Sequence, residues 1–314
     1  MRDRGGRDWG DCGCDAACYV NDVRNEIEKA VELLKSGEPE SMEKALALLQ
    51  ETVFAFSMRV CQQREDAEDT MQEVLVKSVP HLSRFESPRA LVVWLYKVAK
   101  NRCLMSRRRS KFAPKQELSL DELMPDREEL ETIVQGGVNP EAFAIRSQEA
   151  RWLREAIQKL PPQYRIVLVL RDMEGLADEE VAEITGLRAG TVRVRLHRAR
   201  LFVRKELTKR MKQGRGRHTA SGLSETPAEP RPGRCKAMFA ELSNYVDEQL
   251  DDSMCDQLEK HLNGCEPCKA FLSSLQVTIE QCRKSPAEFP DGKRAAKLRK
   301  EILKNYSRIA SPRG

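Results

Sequence analysis

Residues 176–200 read LADEEVAEITGLRAGTVRVRLHRAR, and the fold is decided by how this stretch is read. A short helix over Asp178–Thr185 turns Val181, Ala182 and Ile184 to one side. Gly186 then supplies the tight turn that joins the two helices of a helix-turn-helix. A second helix, from about Ala189, turns Val192, Leu196 and Ala199 inward at helical spacing and leaves Arg193, Arg195, His197, Arg198 and Arg200 on the outer arc. Guanidinium forks suit bidentate contacts to guanine edges and phosphates, and helix-turn-helix proteins read bases with the N-terminal half of the second helix. Arg188, Thr191, Arg193 and Arg195 are therefore the candidates for bases or nearby phosphates, and Arg198 and Arg200 for phosphates. An ordinary Arg-rich amphipathic helix is the plainer reading. The short helix, glycine turn and basic second helix occurring together favour DNA.

Working outward, the helical pattern extends over 140–212, interrupted at Pro161-Pro162, Gly175 and Gly186. Residues 113–139 hold two prolines and Gly136-Gly137 amid acidic residues and read as a linker. Residues 21–112 are helical again. Leu46, Leu49, Val53, Phe56 and Val60 step by three and four, and Asp66 can cap a helix whose first turn is acidic. Beyond the second helix lie a Gly/Pro/Ser-rich linker over 213–234, a cysteine-containing module over 235–282, and a tail over 283–314 with one basic helix. Residues 1–20 are Gly- and Arg-rich and read as disordered. No alternating strand pattern appears. The architecture is all-α: two helical domains joined by an acidic linker, with a small third module.

The composition agrees with several domains. The chain has 314 residues, 33% of them charged, so one compact enzyme core is a poor description. The longest apolar runs, such as Ile166–Leu170, are far below the roughly 18 residues a membrane span needs. No apolar signal segment opens the chain, and a cytoplasmic protein without membrane contact is expected. The net charge of +5 conceals local reversals. Seven basic and no acidic residues lie in 97–111, and twelve basic against one acidic in 188–217. Nine acidic against three basic lie in 115–149, and again in 235–282. Two basic blocks held apart by an acidic stretch suit two contacts on one polyanion.

Three parts of the chain resemble known families. Leu160-Pro161 through Leu207, with its leucine-proline start, helix-turn-helix and TVRVRLHRAR helix, resembles region 4 of the extracytoplasmic-function (ECF) sigma factors. Asp66–Val74 (DAEDTMQEV) is similar to region 2.2 of that family, and Trp94–Asn101 (WLYKVAKN) followed by Arg107-Arg108-Arg109 to regions 2.3–2.4. The resemblance implies that core RNA polymerase and promoter DNA are the partners and that no catalysis is performed. It places Glu65, Glu68, Asp69, Gln72 and Glu73 on a polymerase-docking surface. Ser83, Arg84 and Ser87 become candidates for reading an unstacked base of the minus-10 element, and Lys97, Lys100, Asn101, Arg107 and Arg108 for the strand backbone. Trp94 could stack on a base, but its spacing with Leu91, Leu95 and Val98 favours core packing.

In the third module, His261 and Cys265 stand four apart on one helical face, and Cys268 closes an H-x3-C-x2-C pattern. Cys235 is a natural fourth ligand, and such a set suits Zn2+. The pattern resembles the zinc-binding anti-sigma fold, fused here behind the sigma regions, so the module is expected to regulate activity in cis in response to metal or redox state, and the anti-sigma partner is either the chain's own module or a separate anti-sigma factor. Cys61 and Cys103 read as core residues, while Cys12, Cys14, Cys18, Cys255 and Cys282 have no assigned role. Two alternatives stay open: a two-domain DNA-binding regulator, or a DNA-processing enzyme using Asp121, Glu122, Asp126, Glu128 and Glu129 for metal.

Overall fold

The protein is described by a computed structural model over residues 16–36, 38–85, 87–106, 117–125, 129, 147–214 and 233–310. Every regular element among the described residues is helical, as the absence of strand alternation requires. The first domain comprises α1 (Ala16–Ser36), α2 (Pro39–Cys61), α3 (Arg64–Ser78), a 3-10 turn (Val79–Arg84) and α4 (Pro88–Ser106). The residues stepping by three and four along α2 form its core, with Leu49, Val53 and Phe56 wholly buried against Val74, Leu75 and Leu91. Helix α3 begins at Arg64, so Asp66 lies in its first turn instead of capping it, where with Glu65 it complements the helix dipole. Cys61 and Cys103 are buried as expected, and they are also joined to each other as a disulfide.

The second domain contains α6 (Ser147–Lys159), α7 (Pro162–Leu168), α8 (Asp178–Thr185) and α9 (Ala189–Gly214). Proline begins α7 where its missing N–H costs nothing, and the apolar run Ile166–Leu170 is buried on all sides because α7 is the central helix. Its end widens into a π-helical turn at Val169–Met173. Gly186 adopts φ 73° and donates its N–H to the Ala182 carbonyl at 2.8 Å, ending α8 and aiming α9.

The third module has α10 (Gly233–Val246), α11 (Asp252–Gly264) and α12 (Glu266–Arg283), followed by α13 (Gly292–Ala310). Asp251 caps α11 by accepting the Met254 N–H at 3.0 Å. Helix α10 contains Cys235 near its start. Phe239, Leu258, Phe271 and Leu275 form the module's core, with the Phe239 and Phe271 rings edge to face at 4.6 Å. That core is not closed by its own helices. Leu201 of α9 and Leu123 of the short helix α5 (Leu120–Leu123) are buried in the same cluster. The expected solvated linker is thus folded in part: Lys205 donates to the Glu122 carbonyl at 2.5 Å and Arg204 pairs with Glu129 at 2.9 Å. Helix α13 joins the first domain, with Leu298 and Ile302 buried in its core.

Candidate nucleic-acid interface and metal centre

Helix α9 presents its N-terminal half to solvent over one stripe. Arg188, Thr191 and Val194 are exposed, and Arg195 and Arg198 half-exposed. Glu180 accepts the Ala177 N–H at 2.8 Å and so squares the start of α8, which sets α9 at its angle. Arg193 leans back toward Asp178, with 3.6 Å between Nε and carboxylate.

The outer arc expected at His197 and Arg200 is not outer. Arg200 is 1% exposed, donating to Asp172 at 2.6 and 2.8 Å and to Asp247 of the third module at 2.7 and 3.0 Å. Burial opposes the guanidinium charge, but the two carboxylates outweigh it and raise its pKa. A phosphate cannot reach Arg200 in this arrangement. His197 is buried too, its Nδ1 within 2.8 Å of the Ser243 hydroxyl and its Nε2 without a partner. Burial, then Arg200 and Arg198, pulls its pKa down to about 4. Farther along α9, Arg204 donates to Ser274 at 2.7 Å and stacks 3.9 Å over the Phe271 ring. Gln249 donates to Asp178 at 2.8 Å. Helical spacing divides α9 into a core side and an outer side; it has no means of showing that a second body covers one flank of the outer side. The signal available was Asp247, in an acidic module facing twelve basic residues.

In the first domain, Glu65, Asp69 and Gln72 are exposed on α3. Glu73 accepts from Lys77 at 2.6 Å and pairs with Arg102 at 2.8 Å. Glu68 pairs with Arg64 at 3.1 Å and with Arg294 of α13 at 2.9 Å, and Arg64 donates to the Phe289 carbonyl at 3.3 Å. The basic tail helix, without a role in the sequence reading, therefore lies on α2 and α3 beside the proposed docking residues. Ser83 and Arg84 close the 3-10 turn, and Ser87 caps α4 by accepting the Ala90 N–H at 3.3 Å. Lys97 and Asn101 are exposed on α4. Lys100 instead donates to the Ile184 carbonyl of α8 at 2.7 Å, and burial, then Lys97, lowers its pKa. Trp94 packs against Phe85, with ring centroids 5.7 Å apart. Arg107 and Arg108 lie outside the described residues.

The two helical domains touch each other elsewhere. Glu174, 1% exposed, accepts from Arg59 and from the Tyr96 hydroxyl, each at 2.7 Å. Arg165 donates to the Val60 carbonyl at 3.1 Å. Arg59 also donates to the Ser285 carbonyl at 3.1 Å, between α12 and α13.

The ligand atoms of Cys235, His261, Cys265 and Cys268 all lie within 4.8 Å of one another. His261 Nε2 is 3.7 Å from the Cys235 sulfur and 3.3 Å from that of Cys268. Tetrahedral zinc, with Zn–S near 2.3 Å and Zn–N near 2.0 Å, implies ligand separations of about 3.5–3.8 Å, so the set fits. Burial, then Cys265 and Cys235, raises the Cys268 pKa.

The sigma-70 region 2 family model matches residues 47–112, the sigma-70 region 4 model residues 150–203, and the model described as "Putative zinc-finger" residues 235–269. The ECF RNA polymerase sigma factor SigW of Bacillus subtilis is 29% identical over 184 residues, covering 58% of this chain and 96% of that protein. RNA polymerase sigma factor YlaC of the same organism is 32% identical over 151 residues, covering 48% of this chain and 83% of YlaC. The ECF RNA polymerase sigma-E factor of Escherichia coli is 31% identical over 144 residues, covering 43% and 70% respectively. No helix among the described residues is long and apolar enough to cross a membrane. The chain belongs to the ECF family of RNA polymerase sigma factors, transcription-initiation proteins and not enzymes, and carries a zinc-finger-like module behind its two sigma regions.

Proposed function

We propose that this sigma factor binds core RNA polymerase in the cytoplasm, directs it to promoters through both helical domains, and is restrained by its own C-terminal segment. Region 2 would dock on polymerase through Glu65, Glu68, Asp69, Gln72 and Glu73. It would read the minus-10 element with Ser83, Arg84 and Ser87 and hold the strand with Lys97, Lys100, Asn101, Arg107 and Arg108. Region 4 would read the minus-35 element with Arg188, Thr191, Arg193 and Arg195 and grip phosphates with Arg198. Arg200 drops out of that list, because its charge is already spent on Asp172 and Asp247.

The division of Arg200 between region 4 and the module carries this reading. The promoter elements, named for positions about 25 base pairs apart, are separated by about 80 Å of duplex. With Lys100 of region 2 donating to a region 4 carbonyl at 2.7 Å, the two DNA-reading domains must part before both elements can be bound. The module covers one flank of α9, and α13 covers part of α3, so each domain carries a piece of the C-terminal segment. Cys235, His261, Cys265 and Cys268 would hold Zn2+ as a structural ion with all four positions filled by protein. Zinc would supply folding free energy to a module too small to hold its own core. Metal loss or thiol oxidation is then a route to release.

Run-off transcription with core polymerase tests the proposal, comparing the full chain with one lacking residues 222–314. The truncated chain should initiate more strongly and lose any response to chelator or peroxide. Equal activity and equal response would remove self-restraint; no synthesis above core polymerase alone would remove the promoter-directing role itself.

A further inference from the structure

Val194 lies in the stripe of α9 that the module leaves open, and it is 51% exposed. It is one of four exposed large apolar side chains among the described residues, and the other three (Val76 on α3, Met105 on α4 and Phe289 between α12 and α13) lie elsewhere. Its immediate surroundings are polar and basic. Thr191, one turn before it, and Arg188 are exposed, and Arg195 and Arg198 flank it. A β-branched residue is a poor choice for an open helical position, where Lys, Gln or Ala would favour the helix more. Neither core packing nor helix propensity accounts for a valine here.

The position suits a base edge. Val194 falls in the N-terminal half of the second helix, the part that helix-turn-helix proteins insert into the major groove. From Thr191 to Arg198 the helix rises about 10 Å, the height of about three stacked base pairs. The one apolar group that a base pair offers in the major groove is the C5 methyl of thymine. Two guanidinium groups on either side would engage guanine edges or phosphates and bring an apolar side chain between them against that methyl.

We infer that Val194 is a specificity-determining residue of region 4, with the thymine C5 methyl of one base pair in the minus-35 element as its ligand. The inference rests on the proposal that this stripe of α9 reads DNA, and it adds a sequence preference that arginines alone do not supply. Loss of one buried methyl contact should weaken binding about fourfold.

The test uses holoenzyme assembled from the full chain and bacterial core polymerase. Duplexes randomised across the upstream element are first selected for binding. Each thymine of the selected sequence is then replaced by deoxyuridine, which lacks only the methyl. Wild-type holoenzyme should lose about fourfold in affinity at one position. Val194→Ala holoenzyme should bind the thymine duplex about fourfold more weakly and lose nothing further with deoxyuridine there. Val194→Thr, which keeps the branched shape and one methyl, should fall between. Selection of an upstream sequence with no deoxyuridine effect, or with the same effect in Val194→Ala, overturns the inference while leaving the DNA-reading role of region 4 in place. Selection of no upstream sequence by either holoenzyme overturns both.

Discussion

Arg200 holds one positive charge between two carboxylates from different bodies, Asp172 at 2.6 Å and Asp247 at 2.7 Å. Removing one partner from a buried ionic group strands the others, at a cost of about 3–5 kcal/mol. Arg200→Ala should therefore lower the melting temperature of the whole chain. Asp247→Asn keeps the Arg200–Asp172 pair and should cost less in stability while raising run-off transcription by the full chain. His197 acts through protons. Its pKa is about 4 where buried, against 6.5 for the free side chain. The unfolded or undocked chain thus binds the extra proton, so the stability of this arrangement is whole above pH 6.5 and falls as pH drops from 6.5 toward 4. A pH series of thermal melts should show this slope, and His197→Gln should reduce it. None of these roles was legible from spacing. Periodicity identified Val192, Leu196 and Ala199 as core-facing because that side meets its own domain. His197, Arg200 and Arg204 are buried by residues 46 to 75 positions away in sequence, which one helix's pattern does not encode.

Elements are where the sequence was most legible. The helix-turn-helix boundaries follow from Gly186, whose φ of 73° an L side chain adopts at a cost of about 1–2 kcal/mol. A Cβ there meets nothing within 4 Å, so Gly186→Ala tests backbone conformation alone. It should destabilise region 4 by about that amount, read as a shift in urea midpoint with unchanged slope. The clustering of Cys235 with His261, Cys265 and Cys268 was legible in part, because H-x3-C-x2-C places three of the four locally around the junction of α11 and α12. The bridge between α2 and α4 was not legible: Cys61 and Cys103 are 42 residues apart, and two buried cysteines in a helical pattern read simply as small apolar residues. Closing a loop of that length stabilises by about 4 kcal/mol in the chain-entropy model. Reductant should lower the melting temperature of the wild-type chain and leave a Cys61→Ala, Cys103→Ala chain unmoved. Intact mass under alkylation should show the bridge directly.

At the scale of the molecule, region 2, region 4 and the C-terminal segment meet at Arg59, which donates to Glu174 of region 4 and to the Ser285 carbonyl beyond α12. Separation of any pair disturbs the third, so opening should be cooperative. The module's core has a further consequence, because Leu201 of α9 and Leu123 of α5 complete it. The four candidate metal ligands stand on or between helices whose packing depends on side chains that region 4 and the interdomain segment lend. If the cluster holds zinc as proposed, whatever draws those side chains away would weaken that hold by the same factor with which zinc opposes the opening. On the proposed function, core polymerase and zinc would then compete for one chain through this shared packing. Zinc should pass to a chromophoric chelator faster from holoenzyme than from the free sigma factor, and equal rates would show the two sites to be uncoupled.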